Sequence, residues 1–225
     1  MTVERPRSAI TLFAGLFGSG KTEAAISYAL SLVGCETPRP SGGELGPILI
    51  DLDIVTPFFR SREAAEDLRR RGVDVVAPAA AAQHLDLPAI TPQILGAIEQ
   101  TDRPAVLDVG GDRQGARALG QFSAAISRRG YVMHLVVNPF RPFTDSAEGL
   151  QRSVAEIEAS SRLRVTDLVS NPNLMGETTL EQILAGHRQI ESFAERIGLP
   201  ISLVCVDRRW AERRDGPNFN RGETQ

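Results

Sequence analysis

The stretch Gly15-Leu16-Phe17-Gly18-Ser19-Gly20-Lys21-Thr22 meets the pattern G-x-x-x-x-G-K-[ST] at every fixed position. Upstream, Ala9-Ile10-Thr11-Leu12-Phe13-Ala14 is short, apolar and partly β-branched, the composition of a buried parallel strand. Downstream, Ile26, Ala29, Leu30 and Val33 recur at helical spacing. A strand that enters a Gly-rich loop and leaves as a helix is the setting in which such a loop holds phosphate. Glycines let consecutive backbone N–H groups turn inward, and the helix N-terminus adds the positive end of its dipole. On that reading Gly15, Leu16, Phe17, Gly18, Ser19 and Gly20 form the cradle for a nucleoside triphosphate. Lys21 reaches the β- and γ-phosphates, and the Thr22 hydroxyl takes a position on Mg²⁺.

Working outward, strands and helices alternate. Pro47 to Asp53 predicts a second buried strand ending in two carboxylates, and Ser61 to Arg71 a helix stopped by Gly72. Val73 to Ala77 reads as a third strand. The connection Pro78 to Pro92 then leads into a short helix ending near Gln100. Ala105 to Val109 predicts a fourth strand, Ala116 to Arg129 one helix, and Tyr131 to Val137 a fifth strand. Ala147, Leu150, Val154 and Ile157 mark one helical face, and Val165 to Val169 a sixth strand. Thr178 with Glu181 has the form of a capping box opening a long helix that Gly198 and Pro200 stop. Ile201 to Val206 is the last strand. The expected fold is therefore α/β, a mostly parallel sheet with helices on both faces. One domain spans residues 1–206, and a polar, aperiodic tail covers 207–225.

Ligands of such sheets bind at the carboxyl ends of the strands, where the phosphate loop, Asp53, Asp108 and Asn171 all fall. Asp108 closes an apolar strand and leads into Val109-Gly110-Gly111, the form of an acid that holds Mg²⁺ ahead of a glycine-pivoted loop sensing the γ-phosphate. Asp112 follows it, between the site and an ordinary turn. Asp51 and Asp53 share one strand face, and two nearby carboxylates call for a cation. Asp53 is assigned to positioning or deprotonating the attacking water, and Asp51 to the surroundings of the Mg²⁺; the two roles are interchangeable on sequence alone. Arg60 and Arg62, in Thr56-Pro57-Phe58-Phe59-Arg60-Ser61-Arg62-Glu63, are candidates for neutralising phosphate charge in the transition state. A guanine reader of the usual kind needs Asn-Lys-x-Asp, whereas Asn171-Pro172-Asn173-Leu174 has neither the Lys nor the Asp. Asn171 can pair with an adenine edge, so ATP is favoured over GTP.

The formal net charge of −3 gives no global pull toward nucleic acid or a membrane surface, and no apolar run approaches the roughly 18 residues a span needs. Arg208, Arg209, Arg213 and Arg214 in the tail are offset by Glu212, Asp215 and Glu223, which argues against nucleic acid. Cys35 and Cys205 have no metal-ligand spacing and read as reduced thiols, and Met1 to Ser8 has no signal-peptide core. The expected setting is cytoplasmic. His84, His134 and His187 read as core or surface residues rather than ligands.

The phosphate loop, Asp51-Leu52-Asp53, Asp108-Val109-Gly110-Gly111 and the late-strand Asn171 together resemble the CobQ/CobB/MinD/ParA nucleotide-binding superfamily, within the SIMIBI-like P-loop NTPases. Asp51 to Glu63 and Asp108 to Asp112 are closer to a branch of uncharacterised ATP-binding proteins in it. The resemblance implies Mg²⁺-ATP hydrolysis, with Mg²⁺ and γ-phosphate carboxylates at Asp53 and Asp108 and the adenine contact at Asn171. ParA- and MinD-like ATPases carry a signature Lys early in the loop that crosses an ATP-sandwiched dimer. Leu16 stands there in this chain, followed by Phe17 where the family usually has Gly. An ATP-dependent homodimer would then draw on Arg60 or Arg62. The polar tail also has no counterpart of MinD's membrane helix.

Three functions fit: an ATPase switch read by an unidentified protein partner, an ATP-dependent small-molecule kinase or amidoligase with its acceptor over Pro78 to Ile90, and a non-hydrolysing regulatory module. The paired acids and the Gly110-Gly111 loop favour the first.

Overall fold

Side chains of β1 (Ile10–Ala14) alternate between two cores, Ile10, Leu12 and Ala14 entering one and Phe13 the other. The computed structural model describes residues 10–33, 46–52, 65–77, 92–100, 103–111 and 113–211. The alternation repeats in β2 (Ile48–Leu52) and β4 (Ala105–Val109): Ile50 and Leu107 face the first core, Leu49 and Val106 the second. With β3 (Asp74–Val76), β5 (Tyr131–Val137), β6 (Asp167–Ser170) and β7 (Ile201–Val204) these strands form one seven-stranded sheet in the order β3-β2-β4-β1-β5-β6-β7. Every pairing is parallel. That requires a crossover between strands each time, and buries β1, β2 and β4 along their whole length.

Helices cover both faces, as the alternation demands. The second core is closed by α1 (Lys21–Val33) through Ala24, Ala25 and Ala29, and by α2 (Ala65–Arg70) through Leu68. The first core is closed by α3 (Pro92–Glu99), α4 (Arg113–Gly120), α5 (Ser123–Arg129), α6 (Ala147–Ser161) and α7 (Leu180–Ile197). β1 is central. The chain moves out to β2 and β3, returns through β4, and crosses β1 to continue as β5, β6 and β7. The carboxyl end of β1 is thus the point where the winding reverses, and there a crevice opens.

Three expectations change in detail. The single helix predicted over Ala116 to Arg129 is two, because buried Phe122 folds inward at a turn whose N–H reaches Leu119 O, and Ser123 Oγ donates to Gly120 O. The capping box of α7 is built one residue later than predicted, by Thr179 and Gln182. Thr178 is unavailable for it: its hydroxyl accepts from Leu174 N and donates to Met175 O, closing a 3₁₀ turn at Met175–Glu177. The sixth strand starts at Asp167 rather than Val165, since the Thr166 side chain, not its strand backbone, receives Met133 N. The first turn of the predicted tail, α8 (Arg208–Ala211), docks through Arg209 and Trp210 on Thr178 O. Among the described residues no helix is long and apolar enough to cross a membrane.

Candidate functional site

At the carboxyl end of β1 the chain turns through residues 15–20 and enters α1. Gly18 and Gly20 have positive φ, +77° and +86°, which admit left-handed backbone at no steric cost. A Cβ on Gly20 would lie 2.2 Å from Asn171 Nδ2, so only glycine lets that amide approach. The turn closes with Ser19 N on Leu16 O, and Ala24 N on Gly20 O starts the helix. Buried Ser19 Oγ has no hydrogen-bond partner among the described residues. Open glycine backbone, a helix N-terminus and an orphaned hydroxyl are what a loop built for an anion offers.

Lys21 and Thr22 are buried in the first turn of α1, so a cation and a hydroxyl sit at the sheet end of the helix. Two carboxylates lie on the face that α1 covers. Asp51 and Asp108 are register partners on β2 and β4 and both are essentially inaccessible. Each occupies the alternation position shared with Leu49 or Val106, the second-core side. Neighbouring buried carboxylates keep their charge only beside positive charge. Lys21 supplies one cation at this end of the sheet. Thr22, Asp108 and Asp51 form a donor set of the oxygen type Mg²⁺ prefers, so the residues present fit that ion. Among the described residues no cluster of three His, Cys, Asp or Glu exists. A hydroxyl, one or two carboxylates and substrate oxygens are nevertheless how Mg²⁺ is commonly held.

Gly110 and Gly111 follow β4 and run against the loop: a Cβ on Gly111 would stand 2.9 Å from Gly15 O and 3.0 Å from Phe17 N. Asn171, at the end of β6, donates from Nδ2 to Ser19 O at 2.7 Å. The amide nitrogen expected to meet the base braces the loop instead. Leu16 is partly buried and Phe17 is 77% exposed. Asp53, Arg60, Arg62 and Asp112 lie outside the described residues, as does the predicted acceptor segment 78–90.

Two cavities flank the loop. One, of about 430 Å³, lies between α1 and the ends of β6 and β7, with Tyr28, Asn171, Asn173, Cys205 and Asp207 in its wall. Burial pushes the Cys205 thiol up to about 11, so little of it is the reactive, metal-binding thiolate at neutral pH. The other, of about 520 Å³, lies between Leu16, Gly110, Gly111 and α6, lined by Phe143, Arg152 and Ile157. Arg141, which sequence reading passed over, lies beside Gly18. His134 and His187 are structural: His134 Nδ1 donates to Asp167 Oδ1, and His187 Nδ1 shares a 2.9 Å hydrogen bond with Ser170 Oγ.

An all-parallel α/β sheet with this loop at the reversal point of its winding has the P-loop NTPase fold. Solved structures of that fold agree. Chloroplast FtsY from Physcomitrella patens superposes with a TM-score of 0.57 at 17% identity over 90% of this chain and 60% of its own. The cell division protein FtsY of Thermotoga maritima gives 0.57 at 16% over 91% and 63%. The signal recognition particle receptor FtsY of Elizabethkingia anophelis, in complex with GDP, gives 0.54 at 16% over 92% and 60%. The chain thus spans about three fifths of the length of those structures. No protein-family model matches the chain, and no curated protein matches it.

Proposed function

We propose that the chain is a nucleotide-dependent switch that binds Mg²⁺-ATP and hydrolyses it slowly for a protein partner. The observation that carries this reading is one convergence: Lys21 and Thr22 buried at the mouth of the glycine loop, with Asp51 and Asp108 buried on the same face of the sheet. In this reading backbone N–H groups of residues 16–20 and Lys21 bind the phosphates. Thr22 and Asp108 hold Mg²⁺, with Asp51 around it, and Asp53 orients the attacking water. The ion, when bound, would neutralise charge on the β- and γ-phosphates. Gly110-Gly111, packed on the loop backbone, is the segment suited to sensing the γ-phosphate.

Adenine is preferred because the segment after β6 has neither Lys nor Asp to read guanine, and Asn171 keeps Oδ1 as an acceptor for an exocyclic amine. GDP in the Elizabethkingia anophelis structure favours the guanine alternative. Competition calorimetry decides between them: ATP should win by about 1–3 kcal/mol if one or two hydrogen bonds read the base, and parity or a GTP preference overturns the assignment. For the reading as a whole, Lys21→Ala should abolish tight nucleotide binding and turnover while the fold persists; unchanged affinity and phosphate release would sink it. A nucleotide-dependent homodimer, measured by light scattering with and without ATP, belongs to the same reading.

The cavity between Leu16 and α6 supports a second reading, transfer of phosphate to a small acceptor. Slow ATP hydrolysis that proceeds without any small-molecule acceptor and is stimulated by a protein partner excludes it.

A further inference from the structure

Arg141 Nε is buried beside the glycine loop and, like Ser19 Oγ, has no hydrogen-bond partner among the described residues. A Cβ on Gly18 would lie 3.2 Å from Nε, 3.5 Å from Cδ and 3.6 Å from Cζ, so the guanidinium lies close along the loop at Gly18. A guanidinium stays charged at all relevant pH and carries five N–H donors, and a buried donor left without an acceptor is costly. No carboxylate stands within ion-pair distance of it among the described residues.

We infer that Arg141 is a phosphate-contacting arginine supplied by the chain's own β5–α6 loop, an inference that rests on the phosphate-loop reading above. The loop is built to hold this residue still. Asn138, buried at the end of β5, donates from Nδ2 to Asn173 O at 2.8 Å and accepts Phe140 N on Oδ1 at 3.1 Å. Its carbonyl accepts Arg141 N at 3.1 Å and Thr144 Oγ1 at 2.7 Å. Phe143, two residues on, holds φ of +69°, a conformation a bulky side chain rarely adopts unless its surroundings impose it. Through Asn173 the same network joins the segment whose Asn171 braces Ser19. Hydrogen bonds thus tie the backbone at Arg141, the segment after β6 and the glycine loop together. A guanidinium carried on an anchored backbone beside a phosphate cradle can give charge-assisted hydrogen bonds to phosphate.

The test is calorimetric titration of the full chain with Mg²⁺-ATP, Mg²⁺-GTP and inorganic tripolyphosphate. Wild type, Arg141→Gln, Arg141→Lys and Lys21→Ala are compared, each with its ligand-free thermal midpoint. Arg141→Gln should weaken the preferred nucleotide and tripolyphosphate alike by at least about tenfold, with an unchanged midpoint, and Arg141→Lys should recover part of the loss. Arg141→Met replaces Arg141→Gln if the latter does not fold. Wild-type affinity in Arg141→Gln, with binding lost in Lys21→Ala, overturns the role of Arg141 and leaves the loop reading standing. Wild-type affinity in Lys21→Ala overturns the loop reading itself. Loss of nucleotide but not of tripolyphosphate binding moves the contact to sugar or base and overturns the phosphate assignment.

Discussion

The two faces of the sheet are built from different chemistry. Toward α3, α4, α5, α6 and α7 the buried strand residues Ile10, Leu12, Ile50, Leu107, Met133, Leu135 and Leu168 form a continuous apolar core, interrupted by Ser170, which pairs with His187. Toward α1 apolar and polar groups alternate from strand to strand: Phe13, Leu49, Val106, Val136 and Val169 share the face with Asp51, Asp108, His134 and Asp167. One face supplies hydrophobic stabilisation and the other gives part of it up to hold charge near the glycine loop. The difference teaches where stability and chemistry reside. A substitution in the apolar core of the first face should cost folding, and one at Asp51 or Asp108 on the second should cost function.

The sharpest way to break that comparison uses adjacent residues of β4. Leu107 is fully buried in the first core, so Leu107→Ala should lower unfolding free energy by about 2–5 kcal/mol in urea denaturation. Nucleotide affinity of the folded molecules should be kept. Asp108 points the other way. Asp108→Asn keeps the shape and removes a buried charge, so stability should change by no more than about 1 kcal/mol while turnover falls at least about a hundredfold. Equal destabilisation by the two changes would mean that the faces are not divided in this way.

Much of this division can be read in the sequence, because it is local. Period-two alternation in Ile10 to Ala14 and Ala105 to Val109 assigns faces directly, and the glycine loop is a contiguous pattern whose neighbours define its setting. Boundaries were less legible where a side chain replaced backbone. Thr178 and Thr179 are equally good caps by type, and only the tertiary demand on Thr178 from Leu174 and Met175 decides between them. The break at Phe122 likewise depends on which ring finds space in the core. Arg141 was invisible, since it stands more than a hundred residues from Gly18 in a stretch with no motif, and only the adjacency of β1 and β5 joins them.

A smaller effect separates the faces by pH. Burial on its own would raise the Asp167 carboxyl. The hydrogen bond and charge of His134, with the hydroxyls of Ser202 and Thr166, outweigh it and hold the group below its ordinary value of 3.8. A carboxylate whose folded-state pKa is depressed stabilises the fold above the unfolded pKa, and that contribution disappears as pH falls through the folded value. Wild type should therefore lose stability through this group only in acid, below about pH 4. Asp167→Ala leaves His134 without its carboxylate partner and should cost about 1–3 kcal/mol at neutral pH. It should also flatten the acid limb of the stability curve. An acid limb identical to wild type would show that Asp167 is not the titrating group on this face.

The smallest expected effect concerns Cys205, which ends the apolar lining of the α1 face beside Asn171. Its thiol is pushed up to about 11 by burial, so at pH 8 only about one molecule in a thousand carries thiolate, against about a quarter for an ordinary thiol of pKa about 8.5. The rarer thiolate is intrinsically more nucleophilic, which offsets part of that difference. In Cys35→Ser, where Cys205 is the sole reporter, iodoacetamide labelling followed by mass should run roughly ten times slower than for an exposed thiol. The rate should keep rising well past pH 9. Cys205→Ala should shift stability by about 1 kcal/mol or less, since a small thiol on a partly buried site contributes little beyond its volume. Labelling at the rate and pKa of a free thiol would show that the wall between α1 and β7 is open to water. The α1 face would then owe its polar character to solvent rather than to the site it carries.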